Sequence, residues 1–400
     1  MELDNKRFIV LTQYFPPEMG APQSRLYETA LGLKRKGWEV LVITALPNYP
    51  TGKIFTDYRG RLYVNEVMDT IPVKRYWIYA SNSKRSFPRI VNMVSFSLMS
   101  LCSVFAVWRF RPAYLMAESP SLLTGLSGWM ISRLTGARLI LNVSDIWPLS
   151  AAELGAIQKG SLSYRLLESL ERFLYRHAYA CMGQSQQIAD HLHAQGAKRS
   201  WLYRNGVNSA RFLGDANKTY QRPLKIVYAG LLGVAQGILS LCRELQFDPN
   251  DFELHIYGTG AEVASIKAYL DDNPNKGIFL HETIGREAIP AVLIRYDLTL
   301  IPLVKPIYGA VPSKLYEAMA AGLPVLFAGG GEGAKIVEDY QVGWTCSPSD
   351  FEAMQQLLQK ISQLTASELL EYRNNCIAAA KEVFDRDIQL LQLHTLLTEA

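Results

Sequence analysis

Short β-branched and apolar runs alternate with longer segments of helical period along most of the 400-residue chain, and this alternation restricts the fold more than any other feature. Strands that read as apolar runs are buried on both faces, which calls for a parallel sheet covered by helices. The fold class is therefore α/β. The pattern also occurs twice. Strands are expected over residues 8–15, 39–45, 113–118, 139–145 and 179–185, and again over 224–229, 253–257, 278–281, 298–302 and 324–327. Between the two series lies a polar stretch, 204–222, holding Asn205-Gly206 and ending at Pro223. A Pro- and Tyr-rich stretch over 46–61 reads as a loop. From 349 onward the chain reads as helical, with capping-box spacing at Ser349/Glu352 and Thr365/Glu368.

Length agrees with two domains, because a single core stops growing below this size. Five cysteines lie far apart, without the paired spacing of a zinc site or the density of a disulfide framework, so they are expected to be thiols in a reducing cytoplasm. The polar start, Met1 to Arg7, runs directly into an apolar strand and does not read as an export signal. Charge is uneven: residues 1–200 carry 24 Lys+Arg against 14 Asp+Glu, and residues 201–400 carry 17 against 23. Basic groups such as Lys34-Arg35-Lys36, Lys84-Arg85 with Arg89, and Arg109 with Arg111 could meet an anionic membrane surface or form a solvated face. Nucleic acid is not expected as a partner, since no zinc finger, RNA-binding signature or related module is present.

Residues 90–108 form an uncharged stretch long enough to span a bilayer. Asn92, Ser95, Ser97, Ser100 and Ser103 dilute it, and a span would separate strands that must pair. A buried or membrane-grazing helix is the expectation.

The chemistry-bearing motif is residues 311–326, VPSKLYEAMAAGLPVL. Pro312 and Ser313 suit the start of a helix, and Gly322 and Pro324 its end. A helix N-terminus offers free N–H groups and a partial positive charge, to which Lys314 adds a full one, so a diphosphate fits there. Glu317, one turn deeper, would accept from vicinal ribose hydroxyls. An ordinary crossover helix with exposed Lys and Glu would show the same pattern.

This stretch resembles the donor-binding helix of family-4 glycosyltransferases, retaining enzymes of the GT-B fold. Other segments agree in order. Residues 13–20, QYFPPEMG, resemble the first glycine loop, and Asp145-Ile146-Trp147-Pro148 resembles a motif of the O-antigen and capsule branch that includes N-acetylfucosamine-type transferases. Residues 204–208, RNGVN, resemble the entry to the second domain; 228–237, YAGLLGVAQG, the second glycine loop; 257–260, YGTG, the next turn. The resemblance implies two Rossmann-like domains facing across a donor cleft, over 1–204 and 205–375, with a final helix from 376 packing back on the first. It implies a nucleotide-diphosphate sugar, with UDP the expected nucleotide, as co-substrate without another cofactor. It also implies a polyprenyl diphosphate-linked glycan as acceptor, made into lipopolysaccharide or capsule on the inner face of the plasma membrane. Donor contacts would come from Gly20, Arg204, Gly230, Gly233, Gln236 and Gly258, with Lys305 and Ser313 beside Lys314 and Glu317. Asp145, Lys314 and Glu317 would form the catalytic set.

Three departures stand out. The family usually carries a glutamate eight positions before its second one, where this chain has Gly309, and often a Lys or Arg where this chain has Gln236. A histidine common in the first domain is missing near Asn142. Asp145 is left there, either to orient an acceptor hydroxyl or to cap the following helix. These losses keep open a non-catalytic nucleotide-binding accessory protein, or an epimerase of the same shape. A metal is not expected: Asp271-Asp272 reads as a solvated turn, and His191 and His193 would point to different helix faces.

Overall fold

The structure is a computed structural model that describes residues 5–83, 85–119, 121–212, 218–234 and 236–399. It contains two compact units: residues 1–204 with 389–400, and residues 205–388.

The first unit is built on an eight-stranded sheet. Its strands are β1 (Arg7–Leu11), β2 (Glu39–Ala45), β3 (Tyr63–Met68), β4 (Ile71–Tyr76), β5 (Tyr114–Ser119), β6 (Arg138–Val143), β7 (Ala180–Gly183) and β8 (Ser200–Leu202), in the order β3-β4-β2-β1-β5-β6-β7-β8. All neighbours are parallel except β3, which pairs antiparallel with β4. Alternate residues serve opposite faces, as a period of two requires. Ile9, Leu11, Leu115 and Leu141 join one core, while Phe8, Val10, Tyr114 and Ile140 join another.

The second unit carries β9 (Leu224–Leu231), β10 (Phe252–Thr259), β11 (Ile278–His281), β12 (Leu298–Pro302), β13 (Val325–Ala328) and β14 (Gly343–Cys346), all parallel, in the order β11-β10-β9-β12-β13-β14. In each sheet the first strand in sequence lies inside, and the order reverses beside it, between β1 and β5 and between β9 and β12. Such reversals open a crevice at the carboxyl ends of the strands, where ligands of α/β sheets bind.

The chain does not return to the first unit at residue 376. The helix Ala366–Glu382 stays with the second unit, where Cys376, Ala379 and Ala380 pack in one core with Tyr316 and Met319. Buried Arg373 on that helix donates to the carbonyls of Ala321 and Gly322, at 3.4 and 3.0 Å. The return begins at Gln389, and Leu393 and Leu397 close the core that holds Phe8 and Trp38.

Four strands, β3, β4, β8 and β14, had not been expected. The β3–β4 hairpin turns through Asp69 and Thr70, both with positive φ, 44° and 70°. Two such central residues give the turn whose twist matches paired strands, although Asn-Gly is its usual sequence. Expected strands 8–15, 139–145 and 179–185 end early, at Leu11, Val143 and Gly183, and the residues beyond them form the site end of the sheet.

Candidate active site

In the second unit, β9 delivers Gly230 and the helix Ser313–Ala320 delivers Lys314 to one place. A β-carbon on Gly230 would stand 1.9 Å from the Lys314 Nζ, so the glycine makes room for the ammonium. Gly258 lies opposite Gly230 in the β9–β10 register, and its β-carbon would stand 1.9 Å from the Gly230 carbonyl oxygen. Gly258 is therefore required by close approach to backbone, whereas a side chain at Gly230 would meet only the movable end of Lys314 and push the ammonium out of its place. Lys314 lies 4.2 Å from the centre of the Tyr228 ring and donates to its hydroxyl at 3.1 Å. That hydroxyl donates in turn to the Leu231 carbonyl at 2.6 Å.

Burial pulls the Lys314 ammonium down to about 8, against an opposing pull from Glu317. A desolvated cation without a directly bonded carboxylate is costly, and an anionic ligand would relieve it. Glu317 is half-buried. Desolvation raises its carboxyl above the usual range, while Arg286, Lys314 and Arg211 work the other way. The helix begins after Pro312 with no side-chain cap and no acidic residue in its first turn, so an anion meets no competitor there. Ser313 is its first residue.

The remaining donor candidates divide. Gln236 closes the glycine loop by donating its backbone N–H to Gly233 at 3.0 Å, and its side-chain oxygen is buried without a hydrogen-bond partner among the described residues. Lys305 is exposed on the loop after β12. Gly309 has φ 79°, a left-handed backbone that a glutamate would occupy only under strain. Arg204 falls in the first unit, where its backbone N–H donates to Gln389 Oε1 at 3.0 Å.

In the first unit the carboxyl ends of β1, β2 and β5 surround a cavity of about 450 Å³ whose walls include Gln13, Tyr14, Asn48, Asn92, Glu118 and Trp147. At its floor Glu118 accepts from Arg25, Asn142 and Ser144, and Gln184 donates to the Ser144 hydroxyl at 2.8 Å. Desolvation raises the Glu118 carboxyl, opposed first by Arg25. Gln13 donates to the Asn92 side-chain oxygen at 2.6 Å and to the Tyr14 hydroxyl at 3.0 Å. Burial, then the charge of Glu18, pushes the Tyr14 hydroxyl up to about 12. Glu18 itself ties the loop after β1 to the loop after β2, accepting from the backbone of Phe15, Asn48 and Tyr49.

Asp145 does not cap the next helix. That helix, Leu149–Glu153, starts after Pro148 without a side-chain cap. The Asp145 carboxyl is raised by burial and held back by Arg25. Gly20 precedes the helix Ala21–Arg35 with an extended backbone, φ 166°, and the space beside it is taken by the movable end of Gln23, so neither backbone nor packing demands a glycine there. Glu118, Arg25 and Tyr14 were missed as site residues. Only the position of Glu118 at the end of an apolar run could have marked it.

The family described as "Glycosyl transferase 4-like domain" matches residues 20–202, and "Glycosyl transferases group 1" matches 216–383, so the two together take in most of the chain. Among curated relatives, the "Probable glycosyltransferase WbjE" of Pseudomonas aeruginosa is 26% identical over 65% of this chain and 66% of its own length, just under two thirds. The "Putative colanic acid biosynthesis glycosyl transferase WcaI" of Escherichia coli is 24% identical over 77% and 79%. Among solved structures, a sucrose-phosphate synthase from Thermosynechococcus elongatus superposes with a TM-score of 0.73 at 15% identity over 98% of both chains. Anabaena Alr3699/HepE in complex with UDP and glucose gives 0.69 at 15% identity, over 99% of this chain and 100% of that one. The chain belongs to the GT-B glycosyltransferases, with a glycosyl transferase 4-like domain followed by a group 1 domain.

Proposed function

We propose that this enzyme moves a hexosyl or N-acetylhexosaminyl group from a nucleotide diphosphate, with UDP as the first choice, to a lipid-linked glycan during synthesis of a bacterial surface polysaccharide such as O-antigen or capsule, with retention at the anomeric carbon. The observation that carries the reading is the half-buried, desolvated Lys314 ammonium at the uncapped start of the Ser313–Ala320 helix, with Glu317 one turn further in. The names of relatives, which include colanic acid and amylovoran glycosyltransferases, support the polysaccharide, and the UDP and UDP-glucose complexes of Alr3699/HepE support the donor.

In the step proposed, the bond between the anomeric carbon and the β-phosphate oxygen breaks, and its electron pair leaves on that oxygen. The acceptor hydroxyl forms the new bond on the same face and gives its proton to the departing diphosphate. Negative charge grows on phosphate as the bond breaks, so Lys314 and the helix N–H groups stabilise the transition state more than the bound donor. Glu317 holds the ribose. Because that positive charge is already in place, transfer should proceed without a divalent ion: activity is expected to survive excess EDTA, and loss restored by Mg²⁺ or Mn²⁺ would refute this.

A thermal-shift series with UDP, GDP, ADP and TDP tests the donor, because a ligand of the native state raises apparent stability with its affinity. UDP should give the largest shift, and Glu317→Gln should weaken that binding by about 1–3 kcal/mol. Nucleoside diphosphate should appear only when acceptor is present, which separates transfer from simple nucleotide binding and from epimerisation. Unchanged UDP affinity in folded Glu317→Gln would overturn the ribose assignment.

A further inference from the structure

The uncharged stretch forms two helices, Ser86–Ser100 and Val104–Phe110, joined by a tight turn over Leu101–Ser103. Its polar residues point into the first unit. Asn92, Ser97, Ser100 and Ser103 are buried, Asn92 donates to the Tyr79 carbonyl at 2.8 Å, and Phe96 and Val107 enter the core. The outer side is apolar. Phe87, Ile90, Val94 and Leu98 follow helical spacing along one stripe, continued by Phe105 and Trp108, and Phe87 and Trp108 are still 76% and 56% exposed. Leu134 on the adjoining helix Leu122–Thr135, and Leu162 and Leu166 on Leu162–His177, are exposed as well. These helices pack in series, the first two against Leu122–Thr135 and that one against Leu162–His177. Water-soluble surfaces seldom leave so much apolar surface together without a partner.

The charges around it have one sign. Arg85, Arg109, Arg111 and Arg133 are all exposed, and the first three of the four helices carry no carboxylate. On the fourth, Glu171 is buried against His191 and Glu168 pairs with Arg172 at 3.3 Å. Lys84, one of the basic residues noted in the sequence, lies outside the described residues.

We propose that this face of the first unit is a docking surface for an anionic bilayer, with the aromatic and aliphatic stripe in the headgroup region and the arginines against lipid phosphate. An amphipathic helix rimmed by guanidinium groups binds in this way, lying in the interface rather than crossing it. The inward-facing Asn92 and core-bound Phe96 forbid a span while the unit stays folded. Arg89, Asn92 and Met93 line the cavity over Glu118, so one helix has the membrane on one side and the cavity on the other. The docking residues are separate from those assigned to the donor.

The test is sedimentation of the full chain with vesicles of phosphatidylcholine alone and of phosphatidylcholine with phosphatidylglycerol, at low and high salt. Binding should require the anionic lipid and weaken with salt, which screens charges beyond about 8 Å at physiological strength. Arg85→Gln, Arg109→Gln and Arg133→Gln should each lower it about fivefold, the contribution of one basic residue near an anionic leaflet. The pair Phe105→Ser and Trp108→Ser should abolish it while unfolding temperature and the UDP shift stay unchanged, so failure of docking and failure of the donor assignment read out separately. Equal, negligible binding to both vesicles would overturn the proposal. So would membrane attachment that survives an alkaline wash, or self-association lost with the aromatic pair while vesicle binding is absent.

Discussion

Lys314 occupies the space that Gly230 leaves open, and it keeps its charge there only up to a pH of about 8. The sign of the consequence follows. Below that pH the ammonium is ready for a diphosphate; above it the free enzyme must first take up a proton, so UDP affinity should fall as pH rises through about 8. Titration calorimetry across this range should show that fall in the parent protein and its absence in Lys314→Met, which binds weakly throughout. Ligand-free stability runs the other way: the unfolded chain holds the Lys314 proton between about 8 and 10.5 while the folded one has lost it, so this residue's contribution rises with pH over that window. The proximity of Lys314 and Glu317 is legible in the sequence because they lie three residues apart on one helix, where spacing alone sets geometry. Arg25 and Glu118 are 93 residues apart, and their ion pair exists only because β1 and β5 are neighbours in the sheet. The local motif therefore points to Asp145, while the carboxylate with the hydrogen-bonded partners is Glu118.

Among elements, the long buried strands and the helix opened by a capping box were readable. Thr365 and Glu368 form the expected capping box, but at the preceding helix Asp350 takes the cap by accepting from Ala353 N at 2.9 Å, one residue past Ser349. The β3–β4 hairpin was hidden because its outer strand is largely exposed and lacks the apolar run that marked the others. The last helix, Arg386–Glu399, carries little sign of its role, since it changes units partway along. Leu393 is fully buried against the Phe8 and Trp38 core, and Tyr114 donates its hydroxyl to the Leu397 carbonyl at 3.0 Å. Leu393→Ala should therefore cost about 2–5 kcal/mol, the usual loss for a buried leucine. Exposed Leu391→Ala on the same helix should cost almost nothing, and urea unfolding of the two variants side by side makes the comparison. Equal effects would mean that the helix end does not support the first unit.

For the whole molecule, the repeated alternation of short apolar runs and helical segments conveyed two parallel-sheet units, because each unit's core is written in a contiguous stretch of sequence. The exception is the twelve-residue piece, 389–400, that completes the first unit from the far side of the second. On the ribosome this order becomes a delay. Residues 205–388 must be made first, and at about 5–20 residues per second that takes roughly ten to forty seconds. Through that interval the face holding Phe8, Val10 and Trp38 lacks the leucines that finally cover it. The nascent first unit thus keeps an uncovered apolar face until the last residues are made, and a slow stretch of translation within residues 205–388 would lengthen its exposure.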